Sequence, residues 1–295
     1  MSLAFNRTLE AVWGVPARLS PRVERVLAPN PGPFTFKGTG VHIVGAGDEV
    51  AVIDPGPAIA GHVEALKRAI GTRRLTHILV THTHWDHSRG AAPLKAWSGA
   101  ATYGAGPHSS SPCASGSPGE QAADLDFTPD VALRDGAIVA GRGFTFECVA
   151  TPGHTANHVC YALREESALF SGDHVMGWST SLVAPPDGDM ADYLASLEKL
   201  RTRRDRIFYP THGSPITEPQ AYLRELILHR RAREAQIAAA VARGDATVAA
   251  LAARLYPGID AALAGAAAAQ IQAHLDHLVM QGKIARDGLS YRPCP

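Results

Sequence analysis

The histidine-rich segment at 81–87 restricts the possible fold and function of this chain more than any other feature. It consists of Thr-His-Thr-His-Trp-Asp-His and directly follows a short apolar run at 77–80. Zinc is bound by histidine nitrogen and carboxylate oxygen at about 2.0–2.2 Å, so its ligands must converge within a few ångströms. An extended segment points His82 and His84 the same way, and the following turn presents Asp86 and His87 to a neighbouring position. The segment therefore predicts ligands for two metal ions after a strand.

Three further positions repeat this arrangement of a ligand beside glycine or proline at the end of an apolar run. They are His154 in Thr-Pro-Gly-His, Asp173 in Ser-Gly-Asp and His212 in Pro-Thr-His-Gly. A hydrophobic core needs none of these polar residues at strand ends. We therefore expect all of them to meet in one ligand cluster at one edge of the sheets.

Charge and composition exclude several classes of protein. The chain has 295 residues, 28 basic against 28 acidic, and 45% hydrophobic residues, which excludes a disordered chain. Zero net charge argues against a protein that lives on duplex DNA or on an anionic membrane, because both need a basic surface. The four cysteines have no CxxC spacing, and neither a signal peptide nor an apolar run of membrane-spanning length is recognisable. We expect a cytoplasmic globular protein.

Strands alternating with single helices over the first two thirds predict an α/β (α+β) architecture. The predicted strands lie at 41–44, 50–53, 77–80, 101–103, 144–150, 159–163, 168–170 and 207–209, and the predicted helices at 59–70 and 190–200. The stretch 104–129 is rich in glycine, serine and proline and is interpreted as a long surface loop, either functional or a simple connector.

Composition changes near residue 218, which predicts a catalytic domain at 1–217 and a smaller domain at 218–295. Three helices, at 219–243, 248–255 and 261–281, and a hairpin at 283–291 resemble a winged-helix module. The third helix contains no lysine or arginine, so phosphate neutralisation would be missing and no duplex DNA binding is expected. Packing, homodimerisation and a lid remain open as roles for this domain.

The four motifs, in this order, resemble those of the metallo-β-lactamase superfamily. The resemblance implies a four-layer αββα sandwich with a dinuclear site between the sheet ends. By residue type and position, His82, His84 and His154 would hold the first metal. Asp86, His87 and His212 would hold the second, and Asp173 would bridge both.

Differences between this chain and individual branches of the superfamily reduce the number of branches that it resembles. The presence of both His87 and Asp173 disfavours true β-lactamases, and the short separation of Asp173 and His212 excludes the nucleases that carry a large insertion there. The tRNA-processing branch has an exosite arm that is not recognisable in this chain. What remains resembles the glyoxalase II side and most closely the LACTB-two-like group, which joins this sandwich to a C-terminal winged helix and includes an endoribonuclease for single-stranded RNA.

The resemblance implies a dinuclear hydrolase with two zinc ions per chain, although the same ligands also suit iron or manganese. A hydroxide shared by the metals would attack a carbonyl or phosphoryl centre, and Asp86 would act as catalytic proton carrier. The expected substrate is either a small thioester, ester or lactone or a single-stranded RNA. If it is RNA, the arginines at 230, 231 and 233 are candidates for contacting the RNA strand. The alternatives are a mononuclear iron oxygenase acting on a persulfide and a winged-helix DNA-binding protein with a regulatory metal site.

The sequence also suggests roles for several residues outside the ligand set. Trp178, Ser179 and Thr180 follow Asp173 closely and are candidate substrate contacts. His77, His158 and His174 either support a ligand or belong to the core. His108 is expected to be solvated, and His274 and His277 to lie on a packed or solvated face. Arg89 is expected to neutralise a nearby carboxylate.

Overall fold

The computed structural model describes residues 3–108, 122–244 and 246–294. Its first sheet has seven strands in the order β1 to β7, of which β1 to β4 pair antiparallel and β4 to β7 pair parallel. These strands are β1 (Pro16–Arg18), β2 (Val23–Leu27), β3 (Gly40–Val44), β4 (Glu49–Ile53), β5 (Arg74–Leu79), β6 (Ala101–Gly104) and β7 (Val131–Ala132). Three helices follow strands of this sheet: α1 (Ala60–Ile70), α2 (Trp85–Ser88) and α3 (Ala91–Ser98).

The second sheet has five strands in the spatial order β12, β11, β10, β9, β8. They are β8 (Ile138–Gly141), β9 (Phe144–Ala150), β10 (Val159–Leu163), β11 (Ala168–Gly172) and β12 (Ile207–Pro210), with the helix α4 (Met190–Arg201) between the last two. The pairs from β8 to β11 are antiparallel, and β11 pairs parallel with β12. Consequently β9, β11 and β12 all run in one direction and end at one edge.

The two sheets pack face to face between two helical layers, as the resemblance implied. Alternate residues of β3 point to opposite sides: Ile43 packs with helix α1, whereas Val44 faces the second sheet. Phe146 of β9 lies in the core between the sheets, and Val149 lies in the core shared with α4. This period of two gives each sheet two buried faces. The fold is therefore an αββα sandwich, with helices outside both sheets.

The C-terminal region consists of three helices and a hairpin. The helices are α5 (Pro219–Ala242), α6 (Val248–Leu255) and α7 (Ala261–Met280), and the hairpin strands are β13 (Ile284–Asp287) and β14 (Ser290–Pro293). The first half of α5 packs against α4 through Leu223 and Leu226, whereas its second half joins a separate core through Ile237 and Val241. The architecture is a winged helix, and α5 belongs to both hydrophobic cores.

Several elements were absent from the sequence predictions: β1, β2, β7, β8, α2 and α3. Strand β2 is hard to recognise in the sequence because it contains a charged residue, Arg25. The side chain of Arg25 is nevertheless buried and donates to the carbonyl oxygen of Gly213 at 3.0 Å. Helix α3 is short and contains Pro93 in its first turn, a position that tolerates proline although proline breaks a helix further along. The burial of Arg25 depends on a tertiary contact, whereas Pro93 is accommodated by its position in the helix.

The stretch 104–129, predicted as a long surface loop, has its central residues 109–121 outside the described residues. Its final part lies against the histidine-rich segment. The backbone of Trp85 donates to Ala122 at 3.1 Å, and Asp124 donates to the carbonyl of Thr83 at 2.7 Å. Asp124 also accepts a hydrogen bond from Ser88 at 2.7 Å. This end of the stretch therefore supports the segment that carries the predicted ligands.

Among the described residues, no helix combines the length and apolar character needed to cross a membrane.

Candidate metal centre

The predicted ligands meet at the edge where strands β4, β5, β9, β11 and β12 end. His82 follows β5, His154 follows β9, Asp173 follows β11 and His212 follows β12. A hydrogen bond of 2.8 Å from the backbone of Val159 to Thr81 joins the two sheets at this edge. The parallel directions of the strands therefore place side chains that are far apart in sequence in one cluster.

The first group consists of His82, His84 and His154. The Nδ1 atom of His84 lies 2.8 Å from Nε2 of His82 and 3.2 Å from Nε2 of His154. Ligands at about 2.0–2.1 Å around a tetrahedral ion are about 3.3 Å apart, so these nitrogens stand close to the separation that an ion requires. All three side chains are buried.

The second group consists of Asp86, His87 and His212. The Oδ2 atom of Asp86 lies 3.1 Å from Nε2 of His212 and 3.5 Å from Nε2 of His87. The one-turn helix α2 brings Asp86 and His87 into this group, because its start at Trp85 turns the chain away from the direction of His82 and His84. All three residues are fully buried.

Asp173 directs one carboxylate oxygen towards each group. Its Oδ1 lies 3.4 Å from Nε2 of His212 and 3.6 Å from Nε2 of His87, and its Oδ2 lies 3.9 Å from Nε2 of His154. A carboxylate in this position is able to hold two ions at once. The geometry thus brings all seven sequence-predicted ligands together, and a third overlapping group, His82, His87 and Asp173, connects the two.

The electrostatics of the cluster fit bound cations. Burial and the neighbouring imidazoles of His87 and His84 lower the pKa of His82 well below its usual value, which keeps it neutral as a metal ligand must be. Burial acts in the same direction on His87, but the carboxylates of Asp86, Asp54 and Asp173 outweigh it and raise its pKa well above the usual value. These carboxylates therefore favour positive charge at this position, and a divalent ion would supply it.

Unpartnered buried atoms give a second test of this fit. Among the described residues, four atoms of the cluster are buried without a hydrogen-bond partner: Oδ1 of Asp86, Nε2 of His87, Oδ1 of Asp173 and Nε2 of His212. Buried polar atoms without partners cost free energy, and metal ions held by the two groups would satisfy all four. Histidine and carboxylate donors suit zinc, iron and manganese.

Asp54, which the sequence did not single out as a site residue, lies directly behind the ligand cluster. Its carboxylate accepts hydrogen bonds from the backbone N–H and hydroxyl of Thr81, both at 2.8 Å, and from the hydroxyl of Thr211 at 2.7 Å. Its Oδ2 also lies 2.9 Å from Nδ1 of His87. A carboxylate behind a ligating histidine fixes the orientation and tautomer of the ring. The available signal was an aspartate directly after an apolar strand.

Backbone carbonyls orient two other histidines of the cluster. Nδ1 of His154 lies 2.6 Å from the carbonyl oxygen of Leu182, and Nδ1 of His212 lies 3.3 Å from that of Gly38. Thr39 donates to Oδ2 of Asp86 at 3.2 Å. Loops on both sides of the sandwich therefore hold the ligand side chains.

The candidate substrate residues Trp178, Ser179 and Thr180 are half-buried in the segment after Asp173. The ring of Trp178 stacks on Phe36 with centroids 4.9 Å apart and also lies against Gly213, the residue after His212. The segment therefore borders the ligand cluster. A substrate role for these three residues stays a prediction.

The remaining histidines divide between packing and support. His77 stacks on Tyr103 and meets Phe144 between the sheets, whereas the ring centroid of His158 lies 5.2 Å from that of His82. The expectation that His108 is solvated is wrong: only 4% of its side chain is exposed, and its Nδ1 lies 3.1 Å from the hydroxyl of Thr83. This contact buries the imidazole beside the histidine-rich segment.

His174 and the two histidines of α7 are also packed. His174 is buried against Tyr193 and His158. His277 contacts Glu234 through Nδ1 at 2.6 Å, and Nδ1 of His274 lies 3.6 Å from the same oxygen. Arg89 lies over the ring of Trp85 and 3.9 Å from the carboxylates of Asp124 and Asp126, as expected.

Of the three arginines of α5 that the sequence suggested as an RNA path, at 230, 231 and 233, only the one at 231 is exposed. Arg230 is only 3% exposed, donates to the carbonyl oxygen of Ser181 and stacks on Tyr193. Arg231 pairs with Glu198 at 2.9 Å, and Arg233 stacks on Tyr256. Arg230 and Arg233 are therefore held in packing contacts, whereas Arg231 is 61% exposed in its ion pair with Glu198.

Gly153, the residue before His154, packs closely against the backbone of helix α4. A Cβ atom at this position would lie 2.3 Å from Cα of Tyr193, and the residue has a φ of +133°. We expect Gly153→Ala to destabilise the protein by about 3 kcal/mol or more, because backbone must move on both sides of the contact. Chemical denaturation measures this loss.

Gly136→Ala is the matched control for this substitution. Gly136 also has a positive φ, of +77°, but no atom lies within 4 Å of its ideal Cβ position. Its substitution should cost only the backbone strain, about 1 kcal/mol. Equal losses for both variants would contradict the close contact at Gly153.

Comparison with known families agrees with the geometry. Residues 37–212 match the family model of the metallo-beta-lactamase superfamily, and residues 247–292 match that of a beta-lactamase-associated winged helix domain. The chain belongs to the metallo-β-lactamase superfamily.

Curated relatives include proteins with an activity in their names. The chain is 34% identical over 229 residues to the lactamase-like protein adaB of Aspergillus niger, covering 76% of this chain and 65% of that protein. It is 32% identical over 222 residues to the atrochrysone carboxyl ACP thioesterase dmxR1 of Cryptosporiopsis, covering 75% and 63%. The matched region thus spans just under two thirds of the length of these relatives. Thioesterases are hydrolases.

Two solved structures are similar over almost the whole chain. A metallo-beta-lactamase family protein from Thermus thermophilus is 25% identical, with a TM-score of 0.77 over 94% of this chain and 100% of that one. A beta-lactamase domain protein from Burkholderia ambifaria superposes with a TM-score of 0.82 over 97% and 95%. At 20% identity the second likeness concerns the fold alone.

Proposed function

We propose that this protein is a dinuclear metal-dependent hydrolase that cleaves thioesters. The observation that carries the proposal is the convergence of seven buried ligands in two groups, with one oxygen of Asp173 directed to each group. The relatives named as carrier-protein thioesterases support the choice of a thioester as the bond that is cleaved.

The residues present fit two metal ions of the kind that the superfamily binds. His82, His84 and His154 would hold one ion, Asp86, His87 and His212 the other, and Asp173 both. Zinc is the first choice for this donor set, with iron or manganese also compatible. When bound, such ions supply a water of lowered pKa and a Lewis acid for the carbonyl oxygen of the substrate.

Asp86 is placed to handle a proton. Its Oδ2 faces His212 and accepts from Thr39, whereas its Oδ1 is buried and has no partner among the described residues. Oδ1 is therefore free to accept a proton from the attacking water and pass it to the leaving sulfur. Thr39 keeps the carboxylate from rotating, so that Oδ1 remains directed into the site.

Two features favour a thioester over single-stranded RNA. The arginines of α5 that suggested a basic path are packed against the catalytic sandwich or paired with an acidic residue. The chain also has no net charge, so it lacks the general attraction that phosphate binding requires. An acyl group would lie along the aromatic pair of Phe36 and Trp178, with Ser179 and Thr180 beside it.

The proposal is tested by comparing three substrates with the same zinc-loaded protein. These are an acyl thioester of N-acetylcysteamine, the oxygen ester of the same acyl group, and a labelled single-stranded RNA. We expect thiol release from the thioester, loss of this activity after removal of metal by a chelator, and its return on reloading. Cleavage of RNA with no thiol release would replace this proposal with a nuclease.

The two alternatives from the sequence make different predictions. A mononuclear iron oxygenase requires only one group of ligands, and the complete second group of Asp86, His87 and His212 counts against it. Oxygen consumption with a persulfide would establish that activity. A DNA-binding role requires salt-dependent binding to duplex DNA, for which the third helix, α7, offers no lysine or arginine.

A further inference from the structure

The segment from Ser181 to Val183 connects the ligand cluster to the C-terminal helices. On one side, the hydroxyl of Ser181 donates to the backbone carbonyl oxygen of Asp173, and the carbonyl oxygen of Leu182 lies 2.6 Å from Nδ1 of His154. Ser181 therefore holds the backbone of Asp173, and Leu182 holds the ring of His154.

On its other side, the same segment is tied to helices α5 and α7. Arg230 of α5 donates through Nη2 to the carbonyl oxygen of Ser181, and the backbone of Val183 donates to Oε1 of Gln270 of α7 at 3.2 Å. Arg230 and Gln270 are 3% and 7% exposed, so neither bond competes with bulk water. Hydrogen bonds to a charged donor in a buried setting are among the stronger ones.

Tyr193 of α4 completes this contact. Its ring lies under the guanidinium of Arg230 at 4.9 Å, and its hydroxyl donates to the carbonyl oxygen of His174, the residue after Asp173, at 3.0 Å. Its backbone also packs against Gly153, the residue before His154. Arg230 thus acts on the same two ligands by two routes, through Ser181 and through Tyr193.

We propose that Arg230 is a positioning residue that sets the metal affinity of the site by holding Ser181 and Leu182 in place behind Asp173 and His154. The inference rests on the proposed function, since it assumes that these residues bind metal. It gives the C-terminal helices a role in completing the metal site. Loss of groups that orient metal ligands typically weakens metal binding by about 10–100-fold. Because Arg230 acts through one intervening residue, we expect a loss of about tenfold.

The test measures zinc affinity by chelator competition in three full-length variants. Arg230→Met removes the hydrogen-bond donors but keeps a long side chain, and Arg230→Lys keeps a donor group and the charge. Gln270→Leu removes the acceptor of the hydrogen bond from the backbone of Val183. Arg231→Met is the matched control, because Arg231 is adjacent on the same helix but exposed and paired with Glu198. We expect weaker zinc binding in Arg230→Met and Gln270→Leu, partial recovery in Arg230→Lys, and wild-type affinity in the control.

Two further readouts separate positioning from general stability. The absorption spectrum of the cobalt-substituted protein reports ligand geometry and should change in Arg230→Met but not in Arg231→Met. The melting temperature of the metal-free protein reports folding alone. A lower melting temperature with unchanged zinc affinity and an unchanged cobalt spectrum would overturn the inference. Failure of the wild-type protein to hydrolyse thioesters would instead contradict the proposed substrate, while the affinity differences would stand.

Discussion

Asp86→Ala is expected to lower kcat/KM for thioester hydrolysis by at least about a thousandfold while the protein remains folded. The substitution removes a ligand of the second group and the buried Oδ1 atom that would carry the proton. The effect should be larger for an oxygen ester than for the thioester, because a thiol with a pKa of about 8.5 leaves as the thiolate with little help from an acid. Steady-state kinetics on the two substrates measure both losses.

Asp126→Ala is the matched control for this substitution. Asp126 lies near the histidine-rich segment through Arg89, but its side chain is 94% exposed. Its replacement should leave kinetics and metal content unchanged. If Asp86→Ala kept most of the activity with two metals bound, the proton-carrying role of Asp86 would be wrong.

Asp54→Asn is the second substitution with a large expected effect. Asparagine preserves the shape of the side chain and tolerates the positive φ of 49° at this position, so the change removes the charge and one acceptor oxygen without backbone strain. An amide cannot accept all the hydrogen bonds that Thr81, Thr211 and His87 now direct at the carboxylate. We expect metal affinity to fall by about 10–100-fold and the free energy of unfolding to fall by about 2 kcal/mol.

The control for this change is Asp48→Asn in the turn that precedes strand β4. The side chain of Asp48 is 75% exposed, so loss of its charge should affect neither quantity. Chelator competition gives the metal affinity, and urea denaturation of the metal-free protein gives the stability. Unchanged metal affinity in Asp54→Asn would show that the carboxylate does not orient His87 for binding.

The sequence was sufficient to predict the part of the fold that carries the site. Strands β9 and β10 begin and end where the apolar runs predicted, and α4 differs from its prediction by one residue at its end. These elements are recognisable because their hydrophobic pattern is strong and bounded by glycine or proline. The metal ligands are recognisable for a related reason, since polar residues at consecutive strand ends are costly without a function.

The supporting residues could not be predicted because their roles arise from tertiary contacts. Asp54 looks like an ordinary turn residue until the parallel pairing of β4 and β5 brings it to Thr81 and His87. Arg230 looks like part of an exposed basic helix until the packing of α5 against α4 buries it. In neither case does the local sequence indicate which other strand or helix will lie beside the residue.

Metal titration of the metal-free protein during thioester hydrolysis tests the central claim most directly. The two groups of ligands, joined by Asp173, predict two equivalents of metal per chain, with full thiol release reached only when both are bound. Metal content is measured in the same samples by elemental analysis. Full activity with one equivalent, or two bound equivalents with no release of thiol, would contradict the proposal of a dinuclear thioester hydrolase.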